Sequence, residues 1–148
     1  MPPRPIRPRW GGITVAEREP AIIGRHRNGP LAPLSSDALT DPRTQLVAAD
    51  LARYVNETSA TFDALRLDVD NGPGRPVTED NRSLYSQAGL ASRAKVLRPD
   101  GVLAVWSAHP SRKFEGTLRN AGFRSVRTEE IQVARGVPDV VHLAIRPG

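Results

Sequence analysis

The chain has 148 residues, 39% of them hydrophobic and 25% charged, with a formal net charge of +5 and no cysteine. That length suits one domain with a real core, and nothing in the composition departs from an ordinary globular protein. No apolar run approaches the roughly 18 residues of a membrane span. The opening MPPRPIRPRWGG has no apolar core of a secretory signal, and the lack of cysteine excludes disulfides, thiolate metal sites and cysteine nucleophiles. A cytoplasmic setting is expected.

The positive charge is almost all arginine and is dispersed, apart from Arg4, Arg7 and Arg9 and the pair Arg25/Arg27. No aromatic ladder interleaves it, whereas single-strand nucleic-acid platforms combine a basic groove with stacking rings. A solvated basic surface is expected, not a nucleic-acid partner and not a membrane.

In chain order, residues 1–12 hold four prolines, three arginines and two glycines. They read as a disordered tail, because proline removes the ladder donor and fixes φ. ITVAE (13–17) is a short strand ending on an acid. PAIIGRHRN (20–28) opens with a proline suited to a first helical turn and stops near Gly29. Residues 29–43 read as a polar loop. TQLVAAD (44–50) is a second strand, LARYVNE a short helix, and FDALRLDVD (62–70) a third strand running into a Gly/Pro turn.

One helix is expected over about 80–97, ended by RPDG. GVLAVWSA (101–108) is the continuous apolar run of a strand buried on both faces. SRKFEGTLRNAGF supplies a last helix with Phe114 and Leu118 inward and Gly122 as its stop. FRSVRTEEIQV and VVHLAIRP form an antiparallel hairpin. Strands alternating with helices predict an α/β fold with a parallel sheet. In such sheets ligands bind beyond the carboxyl ends of the strands, where Glu17, Asp50 and Asp68 stand.

The residues alone leave simpler readings open for each acid. Glu17 is a single acid at a strand end, with Glu19 nearby as a competitor. Asp50 also suits the N-cap of the helix beginning at Leu51. Asp68–Asn71 followed by Gly-Pro also suits a plain turn. His109 reads as a loop residue, and no histidine spacing suggests a metal.

ITVAEREPAII, QLVAADLARYV, FDALRLDVDNGP, LYSQAGLASRAKVLRPDGVLAVWSAHP and the terminal hairpin together resemble the spermidine synthase-like branch of the S-adenosylmethionine-dependent methyltransferase superfamily. The resemblance covers about residues 13–147, with 62–73 and 84–110 its most specific stretches. It implies one Rossmann-like domain over 13–148 and an S-adenosyl nucleotide as co-substrate, without a metal. The activity it implies is transfer of an aminopropyl group from decarboxylated S-adenosylmethionine to a small amine. Glu17 would then meet the ribose hydroxyls, and Asp50, with Leu51 beside it, the adenine. Asp68 would be the catalytic base and Asp70 a substrate-binding carboxylate. Methyl transfer from S-adenosylmethionine and a non-catalytic remnant or interaction domain are the alternatives.

The family fold begins with a strand and a glycine-rich loop. Within these residues the only early glycine pair, Gly11-Gly12, precedes a strand instead of following one. A family sheet without its first strand exposes two inner edges. Direct pairing of the flanking strands, a strand from a second copy or a partner chain, and an N-terminally truncated product are the ways to account for this, and turnover by the chain alone is not expected. Arg66 falls inside a strand that should be buried, where a charge is costly unless paired. Asp68 and Glu17 are its expected partners.

Overall fold

A computed structural model describes residues 11–148. The expected N-terminal tail lies outside the described residues for its first ten positions. The chain divides between Tyr54 and Val55 into two compact units.

In the first unit, β1 (Ile13–Glu17) and β2 (Thr44–Ala48) pair in parallel, with Glu17 opposite Ala48. Parallel strands need a crossover of a dozen or more residues. Two helices supply it here, α1 (Pro20–Arg27) and α2 (Ala32–Thr40). The first agrees with the expectation from sequence; the second replaces an expected loop. Pro33 lies in the first turn of α2, where its missing N–H would have no helical partner in any case. The helix's hydroxyls bond back to its own carbonyls, Thr40 Oγ1 donating to Ser36 O at 2.7 Å. No residue from Gly11 to Tyr54 is buried. Ile13 and Val15 on β1 are 44% and 43% exposed.

A short helix, α3 (Leu51–Glu57), leads into the second unit. There follow β3 (Phe62–Leu67), α4 (Glu79–Leu84), α5 (Gln87–Val96) and β4 (Leu97–Ser107). The chain closes with α6 (Arg112–Asn120), β5 (Arg124–Ile131) and β6 (Asp139–Ile145). The sheet order is β3-β4-β6-β5, with β3 and β4 parallel and the other pairs antiparallel. This is the α/β architecture with a C-terminal antiparallel hairpin that the strand–helix alternation implied. Leu103, Val105, Val140 and Ala144 of the sheet are buried, as are Leu90 of α5 and Phe114 and Leu118 of α6.

Three details differ from the sequence expectation. The single helix over 80–97 is two: Thr78 caps α4 by accepting from Asn81 N, and Ser86 caps α5 by accepting from Gly89 N. A side-chain oxygen that satisfies first-turn N–H groups makes a new start cheap in mid-sequence. RPDG belongs to β4 as an irregularity, because Phe62 pairs with Leu97 but Ala64 with Val102. Lastly, β4 alternates: Leu103, Val105 and Ser107 are buried, while Val102, Ala104 and Trp106 are half-buried. The last helix is as expected. Ser111 Oγ accepts from Phe114 N at 3.1 Å, and Gly122 ends the helix at φ 95°, a left-handed conformation that glycine adopts without strain.

Candidate functional site

The expected acids occupy the carboxyl ends of strands in both units. In the first unit, Glu17 is the last residue of β1, and its Oε1 accepts from Glu19 N at 2.8 Å. Its Oε2 has no partner among the described residues. Asp50 follows β2 and precedes α3, so both carboxylates stand at one end of a parallel pair. Asp50 Oδ1 accepts from Arg53 N at 3.0 Å, which caps α3. Its Oδ2 lies 4.0 Å from Arg18 Nη1. The capping role and a ligand role use different oxygens of the same group. Leu51, half-buried, is the first residue of α3.

In the second unit β3 ends at Leu67, so Asp68 is the first residue beyond the strand. Arg66 is not buried: its side chain is 74% exposed, and Nη2 donates to Asp68 Oδ2 at 2.8 Å. Asp68 is one of the two partners expected for it. The cost expected of a buried charge does not arise, because β3 pairs only with β4 among the described residues and Arg66 stands in solvent.

Asp70 was expected to share a face with Asp68 along a continuing strand. Instead the chain turns, with Asp70 at φ 54°, a left-handed conformation that aspartate tolerates better than most residues. Its Oδ2 accepts from Val77 N and from Asn81 Nδ2, both at 2.8 Å. One carboxylate oxygen thus holds both ends of the loop between β3 and α4. Tyr85, buried, donates its phenol to Val69 O at 2.8 Å. Burial first, and the charges of Asp70 and Asp68 after it, raise the phenol's pKa, so it stays a donor.

Gly72 brings this loop against the end of β4. At φ 93° it occupies a conformation open to glycine, and an added Cβ would stand 2.5 Å from Ser107 Oγ. Beside it Ala108 N donates to Asn71 O at 3.2 Å, and Ser107 Oγ donates to His109 O at 2.7 Å. His109 is exposed in the loop after β4, as expected. Asn81, Tyr85 and Ser107 are the parts that sequence reasoning missed. Only the Asp-Asn-Gly turn composition hinted at them. No group of three or more metal-ligating side chains gathers among the described residues, and no helix there is long and apolar enough to cross a membrane.

No protein-family model matches the chain. It is 34% identical over 123 residues to polyamine aminopropyltransferase 2 of Streptomyces coelicolor, covering 77% of this chain and 21% of that protein. It is 31% identical over 99 residues to polyamine aminopropyltransferase 1 of the same organism, covering 66% of this chain and 18% of that one. The chain therefore matches about a fifth of the length of these relatives. The structure of spermidine synthase from Thermotoga maritima superposes with a TM-score of 0.67 at 20% identity, covering 92% of this chain and 46% of that one. The N-methyltransferase NodS of Bradyrhizobium japonicum WM9, solved in complex with S-adenosyl-L-homocysteine, superposes with a TM-score of 0.66 at 16% identity, covering 93% and 67%. The fold is the Rossmann-like methyltransferase fold, and the matched residues are similar to the spermidine synthase-like branch of the S-adenosylmethionine-dependent methyltransferase superfamily.

Proposed function

We propose that the chain serves aminopropyl transfer from decarboxylated S-adenosylmethionine to an amine, in polyamine biosynthesis in the cytoplasm. The observation that carries this reading is Asp68. It is a half-exposed carboxylate at the carboxyl end of β3 that already holds a cationic nitrogen at 2.8 Å. A free amine is mostly protonated near neutral pH, its pKa being about 10 as for lysine. Asp68 holds the ammonium, accepts its proton and directs the lone pair at the carbon beside the sulfonium. The new N–C bond forms as the C–S bond breaks, and its electron pair leaves with sulfur as neutral methylthioadenosine. Glu17, Asp50 and Leu51 would meet the nucleotide, and the second oxygen of Asp70 would steady the amine.

A second copy or a partner chain that adds a strand belongs to this reading. Among the described residues β1 pairs only with β2 and β3 only with β4. Sedimentation of the purified chain tests that part: a dimer, or a complex with a co-purified partner, is expected.

A second reading, a non-catalytic remnant or interaction domain, is favoured by one observation. The unit that carries Glu17 and Asp50 has no buried residue among those described. Thermal unfolding with and without methylthioadenosine, decarboxylated S-adenosylmethionine and S-adenosylmethionine separates the readings. A ligand at about a hundred times its dissociation constant adds roughly 2.7 kcal/mol of stability. An upward shift with the decarboxylated nucleotide and methylthioadenosine supports aminopropyl transfer. A larger shift with S-adenosylmethionine indicates methyl transfer. A transition indifferent to all three supports the non-catalytic reading.

A further inference from the structure

Resting on the reading of Asp68 as the amine-binding carboxylate, we infer that Tyr85 is a positioning residue: its hydroxyl aims Asp70 at a second ammonium and so sets a preference for diamines over monoamines. Tyr85 is the C-cap of α4, just before the break that starts α5. Its ring is buried, with the Phe114 ring of α6 edge-on at 5.9 Å, and its phenol donates to Val69 O at 2.8 Å. That carbonyl belongs to the planar peptide leading into Asp70, so the bond fixes the direction in which the chain enters Asp70. Gly72 N donates to the same oxygen at 3.3 Å.

Asp70 requires this support. At φ 54° it is left-handed, a region that is costly for a residue with a side chain and persists only where the surroundings over-determine it. Val77 N and Asn81 Nδ2 hold its Oδ2, each at 2.8 Å. Its Oδ1 has no hydrogen-bond partner among the described residues. Two positions earlier, Arg66 occupies Asp68 Oδ2 and leaves Oδ1. Two residues of chain span at most about 7 Å, so both carboxylates lie within reach of one short diamine. Each would meet one ammonium through a charge-assisted hydrogen bond. A buried phenol suits the anchoring task, because burial keeps its proton on and the bond to Val69 O in place.

The test compares 1,4-diaminobutane with 1-aminobutane, which share a carbon chain and differ by one ammonium. Calorimetric titration of the whole chain is run at low ionic strength, where exposed charges are least screened. The unaltered chain is expected to bind the diamine about tenfold more tightly, the gain from one charge-assisted contact. Tyr85→Phe keeps the ring and removes only the hydroxyl. It is expected to bring the ratio near one, the loss falling on the diamine. Asp70→Asn, in which asparagine tolerates the same backbone, should do likewise, and adding Tyr85→Phe to it should change the ratio no further. A cooperative unfolding transition checks that each variant folds. A purely structural role moves both affinities together, and that outcome overturns the inference. So does a diamine preference that survives Tyr85→Phe, a further loss when the two substitutions are combined, or equal affinity of the unaltered chain for both amines. If neither amine binds, or the monoamine still binds Asp68→Asn, the reading of Asp68 falls and the inference with it. If Asp68→Asn abolishes monoamine binding while Tyr85→Phe leaves the ratio as it was, only the inference about Tyr85 falls.

Discussion

The two units are built from the same kinds of element and are stabilised very differently. In the second, four strands carry two buried helices' worth of apolar side chains, with Leu67, Leu90, Leu97, Leu103 and Leu118 wholly withdrawn from water. In the first, a two-stranded parallel sheet with two helices buries nothing completely. Each fully buried large apolar side chain contributes about 1.5–3 kcal/mol, and two strands alone are marginal in water. Regular hydrogen bonding makes a strand, but closed apolar burial makes it stable. The acids of the two units therefore stand on unequal scaffolds: Glu17 and Asp50 on the weaker, Asp68 on the stronger.

The largest expected effect is in hydrogen exchange. Amides of β4 and β6 should exchange only on global unfolding, whereas those of β1 and β2 should open at a free energy lower by about 3 kcal/mol or more. Equal protection would break the comparison. Next comes Leu118→Ala, which removes a fully buried side chain of α6 and should destabilise the chain by about 2–5 kcal/mol. Val15→Ala on β1, where the side chain is 43% exposed, should cost well under about 1 kcal/mol. Both are read from chemical denaturation.

Gly72→Ala falls between these. Its positive φ and the approach to Ser107 Oγ add backbone strain of about 1–3 kcal/mol to a steric clash. Because the affected loop carries Asp68, amine binding should weaken along with stability. An unaffected amine affinity would separate Asp68 from the loop that Asp70 and Tyr85 hold.

A further contrast lies in how the second unit titrates. His142 is wholly buried between α6 and β5, with Thr128 Oγ1 at 2.8 Å from its Nδ1 and the Phe114 ring edge-on at 5.2 Å. Thr128 donates to Glu115 Oε1 at 2.6 Å, which leaves its oxygen to accept from Nδ1–H. That assigns the bare lone pair to Nε2, which is buried without a partner. Burial lowers the pKa of His142, against the opposing charge of Glu115, which itself pairs with Arg119 at 3.6 Å. A histidine depressed in the fold contributes stability above its unfolded pKa. That stability is lost as pH falls below about 6.5, where the unfolded chain takes up the proton first. The hydrogen bond from Thr128 lowers the pKa of Glu115 as well, so its contribution disappears at more acidic pH, in the same direction. The unfolding midpoint should fall below pH 6.5 in the parent chain and more shallowly in His142→Gln.

The smallest effect expected is that of Arg66→Leu. An exposed pair contributes about 0–1 kcal/mol, so stability should stay within that range or rise. A larger loss would mean that Arg66 supports the edge of β3.

Local chemistry by itself determined the strands ITVAE, TQLVA and FDALRL, helices α1, α3 and α6, and the closing hairpin. In each, apolar runs, first-turn proline, serine caps and stop glycines act within a few residues and agree with one another. The acids at the strand ends were legible for the same reason. Tertiary structure decided the rest. Helix α2 forms in a stretch that composition marks as a loop, where a crossover between parallel strands must be filled. The break at Ser86 lets Tyr85 reach Val69, a partner sixteen residues away. Asp70 leaves the strand to accept from Val77 and Asn81, seven and eleven residues on. Arg66 is exposed because β3 has one neighbour among the described residues, and a strand's own sequence does not state how many neighbours it will have.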